Sequence, residues 1–292
     1  MKRVNEEKIL CKPSGIISIN ADLTAIQRKA YNVFLYYAKC AYIKNPAVEI
    51  ITIPLQELKN MIGDKSTDNK RIKENLIGIR SAHVEFNSLG KDSAAWSDIA
   101  LLSEIHILIK NGIGIVAFAL PPTIKKNIIY NFLYAKIDLL ILKNLKSKYA
   151  IILYELIKDY QNVQIPKMNV EECKKLFGCA GKYEGITNQF KKYVLDPACS
   201  EINNNPDINC KISYEAGKDE IRFKFKFKSS PDEKEETSAA PEIPMTPTAV
   251  SEAPIKLPAV LPVARELDKN PDDFVSLGEV FKQYFNKKSK GI

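Results

Sequence analysis

A short stretch of the chain carries two amide and two ammonium side chains within five residues: Asn188, Gln189, Lys191 and Lys192. An amide presents a donor beside an acceptor, which matches the major-groove edge of adenine. A lysine ammonium can donate to guanine or to a phosphate oxygen. Side chains of these types, if one surface presents them together, can read base edges and hold a nucleic-acid backbone.

The neighbouring apolar residues predict a helix that turns these polar groups outward. Phe190, Val194, Ala198 and Ile202 recur every four residues, which is the stripe that one helix face buries. The four polar residues then point away from the stripe, near the N-terminal end of the helix.

Two runs of alternating apolar and polar residues follow, at residues 208–214 and 221–227, and predict a hairpin around the Gly-containing loop of residues 216–220. A helix with a polar N-terminal end and a basic hairpin behind it are the parts of a winged helix, in which the helix enters a major groove and the hairpin follows the backbone. The alternative is an ordinary helix packed on a sheet with solvated lysines.

Three segments of the chain resemble plasmid replication initiators that bind iterons, a family built from two winged-helix domains. They are SKYAIILYELIKDY (residues 147–160), FKKYVLDPACSEINNN (residues 190–205) and ISYEAGKDEIRFKFKF (residues 212–227). The most specific block contains Leu195, Pro197, Ala198, Glu201, Ile202 and Asn203. Residues 20–134 match only in layout.

The resemblance implies an α+β fold of tandem winged-helix domains and a replication initiator that binds repeated origin DNA. Such initiators help to open the duplex and recruit host initiator or helicase-loading proteins. They dimerise through the first domain, and they bind iterons as monomers through both domains. The implied partners are therefore double-stranded DNA, a second copy of the chain in equilibrium with the monomer, and host replication proteins.

Further basic and aromatic side chains flank the predicted helix. Lys182 and Tyr183, in the loop before it, are candidates for backbone phosphate contact, and so are Lys218 and Arg222 near the tip of the hairpin. The alternating lysines at residues 224, 226 and 228 either contact DNA or only keep the outer face of the sheet hydrated.

The first half of the chain repeats the same plan. Thr24 with Gln27 predicts a capping box, Pro54 and Gly63 predict the ends of a helix, and Asn111-Gly112 predicts a hairpin turn. Lys70, Arg71 and Lys73 occupy the outer face of a predicted third helix. They form either a second recognition helix or a solvated face in a domain used for self-association.

These patterns predict four regions. Residues 1–131 form an N-terminal winged-helix domain for dimerisation and auxiliary DNA contact, and residues 132–229 form the main DNA reader. Residues 230–269, which include seven prolines between Pro231 and Pro262, form a disordered linker. Residues 270–292 form a short amphipathic helix that docks on a partner or folds back on the body. We also expect a strand at residues 15–19, a loop around Trp96, and a helical connector over residues 123–145 that leads into the second domain.

The composition favours attraction to phosphate-bearing polymers, and a membrane surface would attract the same basic body. The net charge is +8, and residues 229–292 hold 8 Lys and Arg against 11 Asp and Glu, so the positive excess lies in the body of the chain. No apolar run is long enough to cross a membrane and the N-terminus lacks a secretory pattern, which predicts a cytoplasmic protein. The six cysteines lack CxxC spacing, and reduced, buried thiols are expected.

Enzyme chemistry is not expected. GKDSAAWS and GCAGKYEG are not phosphate-cradling loops, and two isolated histidines, His83 and His106, cannot supply the metal site of a nicking enzyme. No metal or cofactor is therefore predicted. The runner-up function is a plasmid-borne winged-helix repressor without initiator activity, and a scaffold whose basic face meets an acidic protein is a third class. Pro197 either bends the predicted helix or restarts it with Asp196 as the cap.

Overall fold

The computed structural model describes residues 8–17, 22–66, 69–90, 93–110, 112–130, 134–183, 187–217 and 219–227. All of them belong to one compact unit, residues 1–233. The predicted linker and C-terminal helix lie outside the described residues, and so does the predicted domain boundary near Phe132.

The first half of the unit combines helices with antiparallel strands. Its elements, in chain order, are β1 (Ile9–Pro13), α1 (Ser14–Ile17), α2 (Ala25–Lys44), β2 (Ile51–Pro54), α3 (Leu55–Ile62), α4 (Asn69–Ser81), β3 (His83–Gly90), β4 (Ser93–Ala100), β5 (Glu104–Lys110), β6 (Ile113–Ala119) and α5 (Pro122–Tyr130). The predicted capping box at the start of α2 is confirmed, because Thr24 and Gln27 exchange side-chain to backbone hydrogen bonds. Gly63 ends α3 with a φ of 75°, as expected for a glycine cap.

A three-stranded antiparallel sheet of order β2-β6-β5 packs against these helices. The predicted hairpin between β5 and β6 is confirmed, with Gly112 in the left-handed region, while Asn111 lies outside the described residues. Phe118 of β6 meets Phe34 of α2 with ring centroids 4.5 Å apart. The apolar stripe of α4 faces the same core, because Ile72, Leu76 and Ile79 are fully buried.

The prediction of a loop around Trp96 is wrong. Residues 83–90 and 93–100 instead pair as the antiparallel strands β3 and β4, with Asn87 opposite Trp96. Pairing between the two strands stabilises this hairpin, and strand preference depends on such cross-strand partners more than on the sequence of either strand alone.

The second half contains β7 (Tyr134–Asp138), α6 (Leu139–Asn144), α7 (Lys148–Asp159), β8 (Met168–Asn169), α8 (Val170–Leu176), α9 (Thr187–Phe190), a π turn (Lys191–Leu195), α10 (Asp196–Asn204), β9 (Cys210–Ala216) and β10 (Glu220–Phe227). Its sheet has the order β8-β10-β9. Asn169 caps α8 and forms a capping box with Glu172.

The connector over residues 123–145 is not purely helical, and residues 15–17 of the predicted N-terminal strand belong to helix α1, while residues 18 and 19 lie outside the described residues. β7 interrupts the connector and pairs with β1, from Ile9 opposite Asp138 to Pro13 opposite Tyr134. The two strands are far apart in sequence. Each strand is stabilised by pairing with the other. The pattern of residues within either segment alone therefore does not reveal the pairing.

A fully buried polar cluster joins β1, α2 and α7. Glu155 of α7 accepts from Lys12 Nζ at 2.9 Å, from Arg28 Nη1 at 3.1 Å and from Asn32 Nδ2 at 2.6 Å. Burial alone would raise the pKa of Glu155, but the two cations and the hydrogen bonds from Lys12 and Asn32 hold the pKa below its ordinary value. We call Lys12, Arg28, Asn32 and Glu155 the buried cluster.

The cysteines behave as packing residues. Cys173, Cys179, Cys199 and Cys210 are buried, Cys11 and Cys40 are half-buried, and all six are free thiols. Burial raises the pKa of Cys173 and of Cys199 to about 12, so neither is a ready thiolate.

Candidate nucleic-acid interface

α9, the π turn and α10 form one continuous helix over residues 187–204, which we call the reading helix. Asp196 has helical angles (φ −61°, ψ −48°), and its N–H donates to the carbonyl of Lys191. Of the two alternatives, a bend or a restart with Asp196 as the cap, the restart therefore does not occur. Pro197 has no N–H to donate, and the wide turn before it lets the helix continue without that hydrogen bond.

The reading helix buries the predicted stripe and turns the predicted polar group outward. Phe190, Val194, Ala198 and Ile202 are fully buried. Asn188, Gln189 and Lys192 are exposed, whereas Lys191 is half-buried. The structure therefore brings three of the four predicted side chains together on one accessible face, with Lys191 at its margin.

Sequence reasoning missed Tyr193, whose side chain is 52% exposed on the same face. Its ring stacks on that of Tyr183, with centroids 6.4 Å apart and planes 19° apart. Lys192 Nζ lies 5.5 Å from the centroid of the Tyr193 ring. The available signal was position, because Tyr193 follows Gln189 by four residues on a helix.

The loop before the reading helix is held by the N-terminal part of the chain. Lys182 is exposed, but its Nζ lies 3.2 Å from Asp22 Oδ2, and this hydrogen bond raises the pKa of Lys182. Asp22 also accepts from Lys148 Nζ at 2.5 Å. Tyr183 is half-buried, with its ring against Phe190 and Tyr193. Lys182 is therefore exposed to solvent but already forms an ion pair with Asp22.

The basic hairpin lies behind the reading helix, as predicted. Ile212, Ile221 and Phe223 are buried, while the exposed lysines of the opposite face are Lys211, Lys224 and Lys226. Arg222 is half-buried and lies opposite Glu215, which forms an ion pair with Lys224. Lys218 lies outside the described residues.

Two polar side chains of α10 anchor the reading helix to its neighbours. Glu201 accepts from the backbone N–H groups of Lys146 and Ser147 at the start of α7. Asn203 pairs through its amide with both backbone groups of Ile212 in β9, each at 2.8 Å. The helix is thereby fixed between α7 and the hairpin, which sets the angle at which its outward face meets a ligand.

The first domain offers a second basic helix face. Lys70, Arg71 and Lys73 are exposed on α4, opposite its buried stripe. Their placement on one outward face is the one that the sequence predicts. Arg80 and Glu74 of α4 are exposed as well, so its exposed residues include four cations and one carboxylate.

The described residues offer no cluster of three or more His, Cys, Asp or Glu side chains that could hold a metal ion. The histidines do have carboxylate neighbours, which the sequence analysis did not expect. His83 Nδ1 lies 3.1 Å from Asp98 Oδ2 across the β3–β4 hairpin, and His106 Nε2 lies 3.1 Å from Glu104 Oε2. None of the described helices is both long and apolar enough to cross a bilayer.

Comparison with known proteins adds two family matches. Residues 9–158 match the model described as initiator replication protein, WH1, and residues 169–227 match that of initiator Rep protein, WH2, where WH denotes a winged helix. These matches confirm the predicted α+β fold with two winged-helix domains.

Two crystal structures of domains 2 and 3 of RctB are similar to the chain. The first, of selenomethionine derivatives, has 12% sequence identity and a TM-score of 0.40, and covers 69% of this chain and 80% of that one. The second has 10% identity and a TM-score of 0.37, with 70% and 81% covered. No curated protein sequence matches the chain.

Proposed function

The chain belongs to the family of initiator Rep proteins with two winged-helix domains, and we propose that it initiates plasmid replication by binding repeated origin sequences. The observation that carries this proposal is the outward face of the reading helix, where Asn188, Gln189, Lys192 and Tyr193 lie together and in front of a basic hairpin. The second domain, residues 132–229, is proposed as the main DNA reader.

The chemistry of this face suits base reading in a major groove. Asn188 and Gln189 each offer a donor and an acceptor that fit adenine, and Lys192 offers donors that fit guanine or a phosphate. Lys191, at the margin of the face, is better placed for the backbone than for a base. Lys182 and Arg222 lie on the flanking loop and hairpin, where phosphate contact would fix the position of the protein without reading sequence.

The first domain, residues 1–131, is proposed to add backbone contacts through Lys70, Arg71 and Lys73 on α4. Binding through two domains lets the protein hold a longer stretch of duplex and distort it, and flexible base-pair steps make such distortion less costly. We propose that this opens the duplex for host initiator or helicase-loading proteins in the cytoplasm, and that the chain does not cut DNA.

Footprinting the full chain on the DNA upstream of its own coding sequence tests the proposal. Protected repeats about one or two helical turns apart are the expected result, because sites on one face of the duplex recur at that spacing. A single protected palindrome would favour a repressor. No protection at all would contradict sequence-specific binding and favour a scaffold that meets an acidic protein.

We also propose that the chain dimerises through the first domain. β5 is an edge strand of its sheet, and Ile107 and Ile109 on that strand are 39% and 78% exposed. Ile113 on β6 and Ile77 on α4 extend the apolar surface, at 60% and 49%. An exposed, apolar edge strand favours pairing with another chain, and a second copy presents the same edge.

The variant Ile109→Lys should raise the dimer dissociation constant by at least about tenfold, because burying one such side chain contributes about 1.5–3 kcal/mol and both copies lose it. Analytical ultracentrifugation over a range of concentrations measures the change. Ile43→Lys, which alters an isoleucine of α2 that is 72% exposed, is the matched control and should leave the dimer unchanged. Equal dissociation constants for Ile109→Lys and the wild type would show that this edge is not the interface.

A further inference from the structure

Tyr193 adds an aromatic ring to an outward face whose other predicted readers are polar. It follows Lys192 directly and Gln189 by four residues, so it borders the side chains proposed to read bases. Its side chain is 52% exposed, whereas Phe190 and Val194, which belong to the buried stripe of the same helix, are fully buried. Packing against the protein therefore accounts for only part of the ring.

The ring is held in place before any ligand binds. Tyr183 stacks on it at 6.4 Å and also packs against the buried Phe190 at 6.3 Å, so a chain of three rings runs from the core to the surface. Lys192 Nζ, 5.5 Å from the ring centroid, adds a cation–π contact. A side chain that is already ordered loses little conformational freedom on binding.

The backbone of Tyr183 supports the same conclusion. Its φ of 60° lies in the left-handed region, where no other described residue except glycine is found. A bulky residue adopts this conformation at a cost in free energy, and such conformations cluster at ligand-binding sites. The residue with this strained backbone is also the one whose ring stacks on Tyr193.

We infer that Tyr193 reads a thymine in the major groove by packing against its 5-methyl group, an inference that rests on the proposed function. Thymine is the base that presents an apolar group on its major-groove edge, so an apolar ring beside Gln189 and Lys192 suits it. Tyr183 covers one face of the ring, which disfavours stacking of an extruded base there. The exposed remainder of the ring can meet a methyl group instead.

Replacing single thymines by deoxyuridine tests the inference, because the substitution removes only the methyl group. The probe is a duplex of one repeat protected in the footprint, with each thymine replaced in turn, and the protein is the full chain. One replacement should weaken wild-type binding by about fourfold, which corresponds to about 0.8 kcal/mol for one buried methyl-sized group. Tyr193→Ala should bind both duplexes equally.

Two further variants separate contact from structure. Tyr193→Leu keeps an apolar side chain and should retain part of the thymine preference, while Tyr130→Ala, at a tyrosine 67% exposed on α5, should retain all of it. Thermal unfolding verifies that each variant is folded. Specific binding by the wild type with no loss at any deoxyuridine would overturn the inference but leave the proposed function intact. Absence of a footprint would overturn both.

Discussion

Replacing Glu155 by alanine should lower the free energy of unfolding by about 3–5 kcal/mol, because it leaves Lys12 and Arg28 buried without their shared carboxylate. Glu155 is fully buried and Lys12 is 1% exposed, so water cannot replace the lost partner. Chemical denaturation followed by circular dichroism measures the change.

Glu220→Ala is the matched control for Glu155→Ala. Glu220 pairs with Lys167 at 3.2 Å, but both side chains are more than half exposed, and such pairs contribute about 0–1 kcal/mol. Similar losses of unfolding free energy for the two variants would contradict the importance of the buried cluster.

Because the cluster joins β1, α2 and α7, its loss should loosen the packing of the N-terminal segment on α7.

Because Glu155 is ionisable, the stability of the fold should depend on pH. The pKa of Glu155 lies below its ordinary value in the folded state, so ionised Glu155 stabilises the fold above the unfolded pKa of about 4.3. This stabilisation is lost as the pH falls through the folded pKa. Glu155→Gln should therefore lose less stability on acidification than the wild type does, and parallel curves would contradict the prediction.

Local patterns in the sequence predicted those elements whose signals lie within a few residues. The Thr24–Gln27 capping box, the Gly63 helix end and the buried stripe of the reading helix are of this kind, and the structure contains all three. Strand β7 could not be predicted in this way. Its partner is β1, more than 100 residues away, and neither strand has a clear period of its own.

Two residues of the family motif have structural roles that the sequence alone does not reveal. Glu201 and Asn203 belong to its most specific block, yet their spacing on a helix does not reveal what they contact. In the structure, Glu201 accepts hydrogen bonds from the backbone N–H groups of residues 146 and 147. The side-chain amide of Asn203 forms two hydrogen bonds with the backbone of Ile212. Both contacts join segments that are separate in sequence, so only the folded chain reveals them.

The reading face was predicted in part. Asn188, Gln189 and Lys192 follow from the four-residue stripe, because a helix turns their side chains away from it. The position of Tyr193, four residues after Gln189, also places it near this face, but an aromatic residue beside a buried stripe fits the core equally well. Its contact with Tyr183 joins the helix to the preceding loop, and only the folded chain reveals it.

The double variant Gln189→Ala, Lys192→Ala should lose most of the sequence specificity of the protein. Good base contacts each contribute about 1–3 kcal/mol of discrimination, so losing two should reduce the preference for a repeat by between about 30-fold and 10⁴-fold. Nonspecific affinity should fall much less, because the hairpin and α4 keep their cations. Asn204→Ala, at an exposed residue at the opposite end of the reading helix, is the control and should keep the preference.

Recognition of particular bases by the outward face of the reading helix can be measured directly. The quantity to measure is the ratio of the dissociation constants for a protected repeat and for a shuffled duplex. Fluorescence anisotropy at one salt concentration gives both constants for each protein. The double variant should approach equal affinity for the two duplexes, while the wild type and Asn204→Ala should strongly prefer the repeat. A double variant that keeps the wild-type ratio would contradict base recognition by this face.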